Sequence, residues 1–294
     1  MPEKKAPLAI VYDFDGTLAP GNMQERDLIP ALGLKPKEFW KLVKENSKKH
    51  EADEILSYMR LMLEHAQSKH VQVRKTDFES FGKNLNLFQG LLAYQDKNGD
   101  QHDGWFDRIN VYARASGVKI DHFIVSSGMR EMVSGTEIAK YFRMIYASAF
   151  MYDHHGVAVW PALALNYTTK TQYLFRINKG SLHVYDHSVI NKFVEHKDRP
   201  IPFTNIAFIG DGETDVPCFR LVTEQGGNAI AVYKPNTSGA KARCQKYVTQ
   251  GRAKFIAPAD YRDQTEIDRI IKALIDKLSI DLHLENLTPK LSPS

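Results

Sequence analysis

Cysteine is scarce in this sequence: Cys218 and Cys244 are its two cysteines among 294 residues. Two thiols are too few to frame a small disulfide-stapled fold or to furnish a cysteine-rich metal site, and they read as reduced thiols of a cytoplasmic protein. Long apolar runs are missing as well, since none approaches the roughly 18–20 residues that a membrane helix needs. Residues 1–7 lead directly into a strand-like segment without a signal-peptide stretch, so a soluble, unexported, cytoplasmic chain is expected. Charge of one sign is concentrated nowhere. The 39 Lys and Arg stand against 35 Asp and Glu, a formal net charge of +4, and the densest basic runs are Lys4-Lys5 and Lys48-Lys49. So thin a spread describes a solvated surface, and neither nucleic acid nor a membrane is an expected partner. Internal repeats and low-complexity tracts are also lacking. What remains is globular composition, 43% hydrophobic and 25% charged, in a length that suits one large or two smaller domains.

Residues 8–12 (LAIVY) form a short, continuous apolar run rich in β-branched and aromatic side chains, the pattern of a strand buried on both faces of a parallel sheet. Similar runs follow at 122–125 (HFIV), 205–209 (NIAFI) and 229–232 (AIAV), each closed by a polar or glycine-bearing turn. The segments between them carry helical spacing. That alternation predicts an α/β fold, a Rossmann-like doubly wound parallel sheet, whose ligand crevice lies beyond the carboxyl ends of its strands. Ile267, Ile270, Ile271, Leu274, Ile275 and Leu278 predict a C-terminal helix with one apolar face, and Thr265 with Asp268 predicts a capping box at its start. Between the first two runs the texture changes. Ile55, Met59, Met62 and Ala66 make one helical stripe, and Trp105, Ile109, Tyr112 and Ala113 another. A βαβ crossover does not require so long a segment. The organisation expected is therefore an α/β core of residues 1–20 and 118–294 with an all-helical cap domain, residues 21–117, inserted in it.

The first strand ends in Asp13-Phe14-Asp15-Gly16-Thr17. Side chains alternate along a strand, so Asp13 and Asp15 point the same way and converge where the strand opens into a loop. Such a pair can supply a nucleophile and a general acid or base, or hold a hard cation. Two acids at a buried strand end are costly unless metal or substrate pairs them. The third run ends in Gly210-Asp211-Gly212-Glu213-Thr214-Asp215, and Asp211 and Asp215 flank a glycine turn as an oxygen-ligand site for Mg²⁺ requires. Two acidic loops, each directly after a buried strand of one sheet, converge in space.

These residues resemble the motifs of the haloacid dehalogenase (HAD) superfamily in its phosphatase branch, with a phosphoserine-phosphatase-like cap position between the first two motifs. The first motif, Asp-x-Asp-x-Thr, stands as Asp13, Asp15 and Thr17; the second, an apolar run ending in Ser, as Phe123-Ile124-Val125-Ser126; the fourth, Gly-Asp-x-x-x-Asp, as Gly210, Asp211 and Asp215. The third is a lysine in a loose context, and Lys170 is preferred over Lys179. The resemblance implies that Asp13 attacks phosphorus to give an aspartyl-phosphate and that Asp15 protonates the leaving alkoxide and then deprotonates water. It implies phosphate binding by Ser126 and Lys170. It also implies Mg²⁺ held by Asp13, Asp15 through its backbone carbonyl, Asp211 and Asp215. Haloacid-cleaving relatives lack an acid at the position of Asp15, so phosphate-ester chemistry on a small phosphorylated metabolite is expected.

Plainer roles stand beside these. Ser126 precedes Ser127 and Gly128 in what can be a merely structural turn. A lone lysine such as Lys170 or Lys179 is usually a solvated surface residue. Glu213 and Thr214 read either as contacts to metal-bound water or phosphate or as residues that simply shape their turn. His154 and His155 read as a turn rather than a zinc site, since adjacent side chains point apart and no further spaced ligands accompany them. Glu25 and Arg60, on the insert, read equally as substrate contacts and as surface pairs. A phosphotransferase or mutase of the same superfamily and a non-catalytic phosphate-binding module remain as alternatives at this stage.

Overall fold

Residues 5–287 are described by a computed structural model. Its segment Ala6–Tyr12 is strand β1, in which Leu8, Ile10 and Tyr12 enter one hydrophobic cluster while Ala9 and Val11 enter a second on the other face. This period-two division lets one apolar run serve two core layers. Each fully buried Val, Leu or Ile contributes roughly 1.5–3 kcal/mol.

After β1 come helices α1 (Leu28–Ala31), α2 (Pro36–His50), α3 (Glu54–Ser68) and α4 (Lys75–Lys83), a hairpin of β2 (Tyr94–Gln95) and β3 (Gln101–His102), and α5 (Trp105–Ala115). The chain continues through β4 (Val118–Met129), α6 (Arg130–Ser134), β5 (Phe142–Tyr152), β6 (Ala158–Leu163) and α7 (Thr169–Lys179). It then forms β7 (Ile206–Gly210), α8 (Val216–Glu224), β8 (Asn228–Tyr233), α9 (Ala240–Thr249), β9 (Phe255–Pro258) and α10 (Glu266–Leu287). Seven strands make one sheet in the order β6-β5-β4-β1-β7-β8-β9, parallel except for the antiparallel pair β5 and β6. The order reverses at β1, which lies between β4 and β7. Its carboxyl end is thus the topological switch point, where open α/β sheets hold ligands. The doubly wound α/β expectation holds.

Helices α7, α8 and α9 cover one face, through residues such as Leu174, Phe219 and Cys244. The other face meets α5 and α10, and α1–α4 share that cluster through Ile29, Phe39, Met59 and Phe78. The expected all-helical insert over residues 21–117 differs from this in two respects. It contains the β2–β3 hairpin, and its last helix, α5, packs on the sheet itself. The reason is a buried polar chain: Trp105 Nε1–H donates to Tyr12 Oη (2.9 Å), Tyr12 Oη lies 3.1 Å from His122 Nδ1, and His122 Nε2 lies 3.2 Å from Asn110 Oδ1. These four residues tie α5 to β1 and β4.

At the start of α10, Asp268 is fully buried and accepts from the Gln264 amide, while the Thr265 hydroxyl donates to the carbonyls of Asp260 and Arg262. The anticipated Thr265–Asp268 capping box is therefore replaced by a carboxylate that also binds Arg108 and Lys272. His154 and His155 occupy a turn, but their rings lie 3.9 Å apart instead of diverging.

Candidate active site

The β1–β7 ladder extends one residue past β1, with the Asp13 amide donating to the Ile209 carbonyl (2.9 Å). Phe14, fully buried, turns into the core and leaves Asp13 and Asp15 on the crevice side. Asp13 Oδ1 accepts from the Phe14 amide (2.7 Å), and its Oδ2 lies 3.1 Å from Lys170 Nζ. Lys170 has no exposed surface, and its ammonium also donates to Asp215 Oδ1 at 2.8 Å. Asp215 Oδ2 in turn accepts from the amides of Asp211 (3.1 Å) and Gly212 (3.4 Å). Asp13, Asp211 and Asp215 each offer one oxygen, all within 4.8 Å of one another. The Asp15 carboxyl stands apart from that trio: its Oδ1 accepts from the Met23 amide (2.9 Å).

Gly16 adopts φ +73°, and a Cβ there would meet Asp211 Oδ2 at 2.1 Å, so the acidic loop after β7 can approach only a glycine. On the opposite wall, Ser126 Oγ accepts from the Gly128 amide (3.1 Å), and a Cβ on Gly128 would strike Met23 at 2.2 Å and Asp15 Oδ2 at 3.1 Å. Buried Thr17 Oγ1 and Ser127 Oγ have no hydrogen-bond partner among the described residues. A cavity of about 490 Å³ opens over these loops, bordered by Asp13, Asp15, Ser126, Asp211, Glu213 and Thr214. Lys170 and Asp215 lie beneath its floor.

The model of the haloacid dehalogenase-like hydrolase family matches residues 10–220, most of the chain. The chain belongs to the haloacid dehalogenase-like hydrolases. An uncharacterized protein of Borreliella burgdorferi is 29% identical over 91% of this chain and 96% of its own length. Among solved structures, a HAD family hydrolase of Salmonella enterica serovar Typhi superposes with a TM-score of 0.56 at 16% identity, covering 94% of this chain and 73% of that one. An apo phosphoserine phosphatase gives 0.53 at 15% identity, covering 92% and 98%. A substrate-bound phosphoserine phosphatase gives 0.52 at 14%, covering 92% and 99%. These likenesses bear on the fold, which is that of a HAD-type hydrolase with phosphatase-like architecture. No helix among the described residues is long and apolar enough to cross a membrane.

Burial moves three carboxyls of this HAD site, Asp15, Asp211 and Asp215, in the same direction. Burial, then the adjacent Asp13, raises the Asp15 pKa well above the ordinary carboxyl value, against a smaller lowering by the Met23 amide. Asp15 is therefore poised to carry a proton. Burial, reinforced by Asp215 and Asp13, pushes Asp211 up to about 8. Asp215 is raised by burial and by Asp13, with Lys170 opposing. At Lys170 burial alone would favour loss of the proton, but Asp13 and Asp215 outweigh it and the ammonium's pKa is raised. Lys170 is thus a fixed internal cation.

The residues singled out from the sequence, Asp13, Asp15, Ser126, Lys170, Asp211 and Asp215, all gather at the switch point. Lys179 is elsewhere: its ammonium donates to the carbonyls of Ile190 and Lys192. Glu25 accepts from Asn22 and Trp40, and exposed Arg60 pairs with Glu64, so neither borders the cavity. Sequence reasoning missed Tyr58, whose hydroxyl reaches from α3 to the Ser127 carbonyl (2.9 Å), and Met23, whose amide holds Asp15. Nothing distinguishes Tyr58 within the apolar stripe of α3, and a backbone amide leaves no trace in a sequence.

Proposed function

We propose that this HAD hydrolase is a Mg²⁺-dependent phosphomonoesterase that acts on a small phosphorylated metabolite through an aspartyl-phosphate on Asp13. The observation that carries the reading is the division of labour between two neighbouring carboxyls: Asp13 is held by a buried ammonium, while Asp15 is held away from it with its proton favoured. An Asp13 oxygen attacks phosphorus in line, forming the Oδ–P bond as the bond to the leaving oxygen breaks. Asp15 gives its proton to that leaving oxygen and becomes a carboxylate. The same carboxylate then removes a proton from water as the water oxygen attacks phosphorus, which breaks the Oδ–P bond, frees inorganic phosphate and restores both acids. Lys170 orients Asp13 throughout, and Ser126 borders the space where the phosphoryl oxygens lie.

The donor set fits a hard divalent cation, because three carboxylate oxygens converge and burial drives two of these acids, Asp211 and Asp215, toward protonation, Asp215 in spite of Lys170. Asp13, Asp211 and Asp215, with the Asp15 carbonyl, would hold it. Bound there, Mg²⁺ neutralises phosphoryl charge. The part of residues 21–117 that precedes α5 acts in this reading as a cap over the catalytic loops, anchored by Tyr58 and Met23.

The test is release of inorganic phosphate from a panel of phosphomonoesters, with Mg²⁺ and with chelator, using wild type beside Asp13→Asn. Mg²⁺-dependent release that drops on the order of 10³-fold or more in a folded Asp13→Asn protein is expected. Release surviving near the wild-type rate would refute the nucleophile.

A further inference from the structure

Building on the phosphomonoesterase reading, we propose that the leaving alcohol of the substrate carries a second anionic group, a carboxylate or phosphate, received by Lys234 and Arg243. The cavity of about 490 Å³ is much larger than a phosphoryl group alone requires, and its outer wall is formed by the end of β8 and by α9. The exposed residues Lys234 and Arg243 border the cavity there, as do Tyr233 and Tyr247. Neither cation has an ion-pair or hydrogen-bond partner among the described residues. The other candidate cations are already engaged, Lys170 by Asp13 and Asp215 and Arg60 by Glu64.

The other walls sharpen the inference. Residues 21–117 contribute Gly21, Asn22 and Phe88 to the cavity, none of them charged. Recognition of a charged leaving group therefore falls to the β8–α9 wall rather than to the cap. The acids of the floor are committed to phosphoryl transfer, and Glu213, which also borders the cavity, pairs with neither rim cation. Two unpaired cations beside an acidic floor create a field that favours a molecule with its phosphoryl group at one end and a further negative group at the other.

Three phosphonates that resist hydrolysis separate the possibilities: propyl phosphonate, its carboxylate-ended analogue and its phosphonate-ended analogue. Their binding is measured by calorimetry in Mg²⁺, at low and high salt, for wild type, Lys234→Gln and Arg243→Gln. At least one doubly anionic ligand should bind on the order of 10- to 100-fold tighter than propyl phosphonate. Which of the two gains more identifies carboxylate or phosphate as the second group. Each substitution should shrink the advantage, as should salt, while propyl phosphonate binds all three proteins alike. Equal wild-type binding of all three ligands, or an advantage that survives both substitutions, would overturn the proposal. Turnover of p-nitrophenyl phosphate by the same proteins reports separately on the phosphatase. Absent turnover with the binding advantage intact would sink the reaction and leave the anion site standing.

Discussion

His122 makes acid a selective probe of how α5 is fastened to the sheet. The ring is 2% exposed, and burial alone lowers its pKa from 6.5 to about 3. Its neighbours are Tyr12, Phe106 and Asn110. With Nδ1 accepting from the Tyr12 hydroxyl and Nε2–H donating to Asn110, the neutral tautomer satisfies every partner, whereas a second proton on Nδ1 would oppose the Tyr12 donor. Because the folded pKa lies below the unfolded one, the unfolded chain binds a proton between pH 6.5 and 3 that the folded chain refuses. The contribution of this group to stability is therefore complete above pH 6.5 and declines as pH falls. Linkage places the loss at about 2 kcal/mol by pH 5 and about 3 kcal/mol by pH 4, from a negligible value at pH 7. The assay is urea unfolding at each pH for wild type and His122→Gln, since glutamine keeps an acceptor and a donor but cannot take up the proton. The difference in unfolding free energy between the two should shift in favour of the variant by those amounts on acidification. Parallel pH profiles, or an imidazole that titrates near 6.5 in the folded protein by NMR, would show that burial does not control His122.

Two other substitutions test the internal architecture. Lys170→Met leaves Asp13 and Asp215 buried without their cation, and a loss of about 3–5 kcal/mol in chemical denaturation is expected; a variant as stable as wild type would mean that the lysine does not hold the pair. Tyr58→Phe removes the donor to the Ser127 carbonyl, which then retains the Ser148 hydroxyl at 3.2 Å. A cost of about 1–2 kcal/mol follows, measured by the denaturation midpoint, and no change in that midpoint would contradict the anchoring role given to α3.

Much of the candidate site's geometry was legible because strand and chemistry coincide in the chain. Asp13 and Asp15 follow an unbroken apolar run, and Asp211 follows another, so the alternation of side chains along a strand was enough to aim them at one crevice. Lys170 and Lys179 both belong to α7, and it is the buried face of that helix, formed only on folding, that separates them. The sheet was less legible. Strand β5, Phe142–Tyr152, mixes Arg143, Ser148 and two tyrosines with its apolar residues, and β9 is four residues ending in Pro258, so neither shows the uniform apolar run of a central strand. The helix over Trp105 to Ala113 was readable from its stripe, but its docking place was not. That depends on hydrogen bonds from Trp105 to Tyr12, 93 residues away, and from His122 of β4 to Asn110. Asp268 shows the same limit, since local spacing suggests a cap while Arg108 and Lys272 determine what the carboxylate does.

The central position of β1 has a consequence for how the protein breathes. Amides in this strand are flanked by β4 on one side and β7 on the other, and its side chains from Leu8 to Tyr12 are buried in both cores. Strands β6 and β9 lie at the two margins of the sheet. Hydrogen exchange should therefore reach the marginal strands by local opening at low free energy, while Ile10, Val11 and Tyr12 exchange only when the whole domain unfolds. The strand that delivers Asp13 is thus the last to lose its order, and transient fraying at either margin leaves the position of that carboxylate undisturbed.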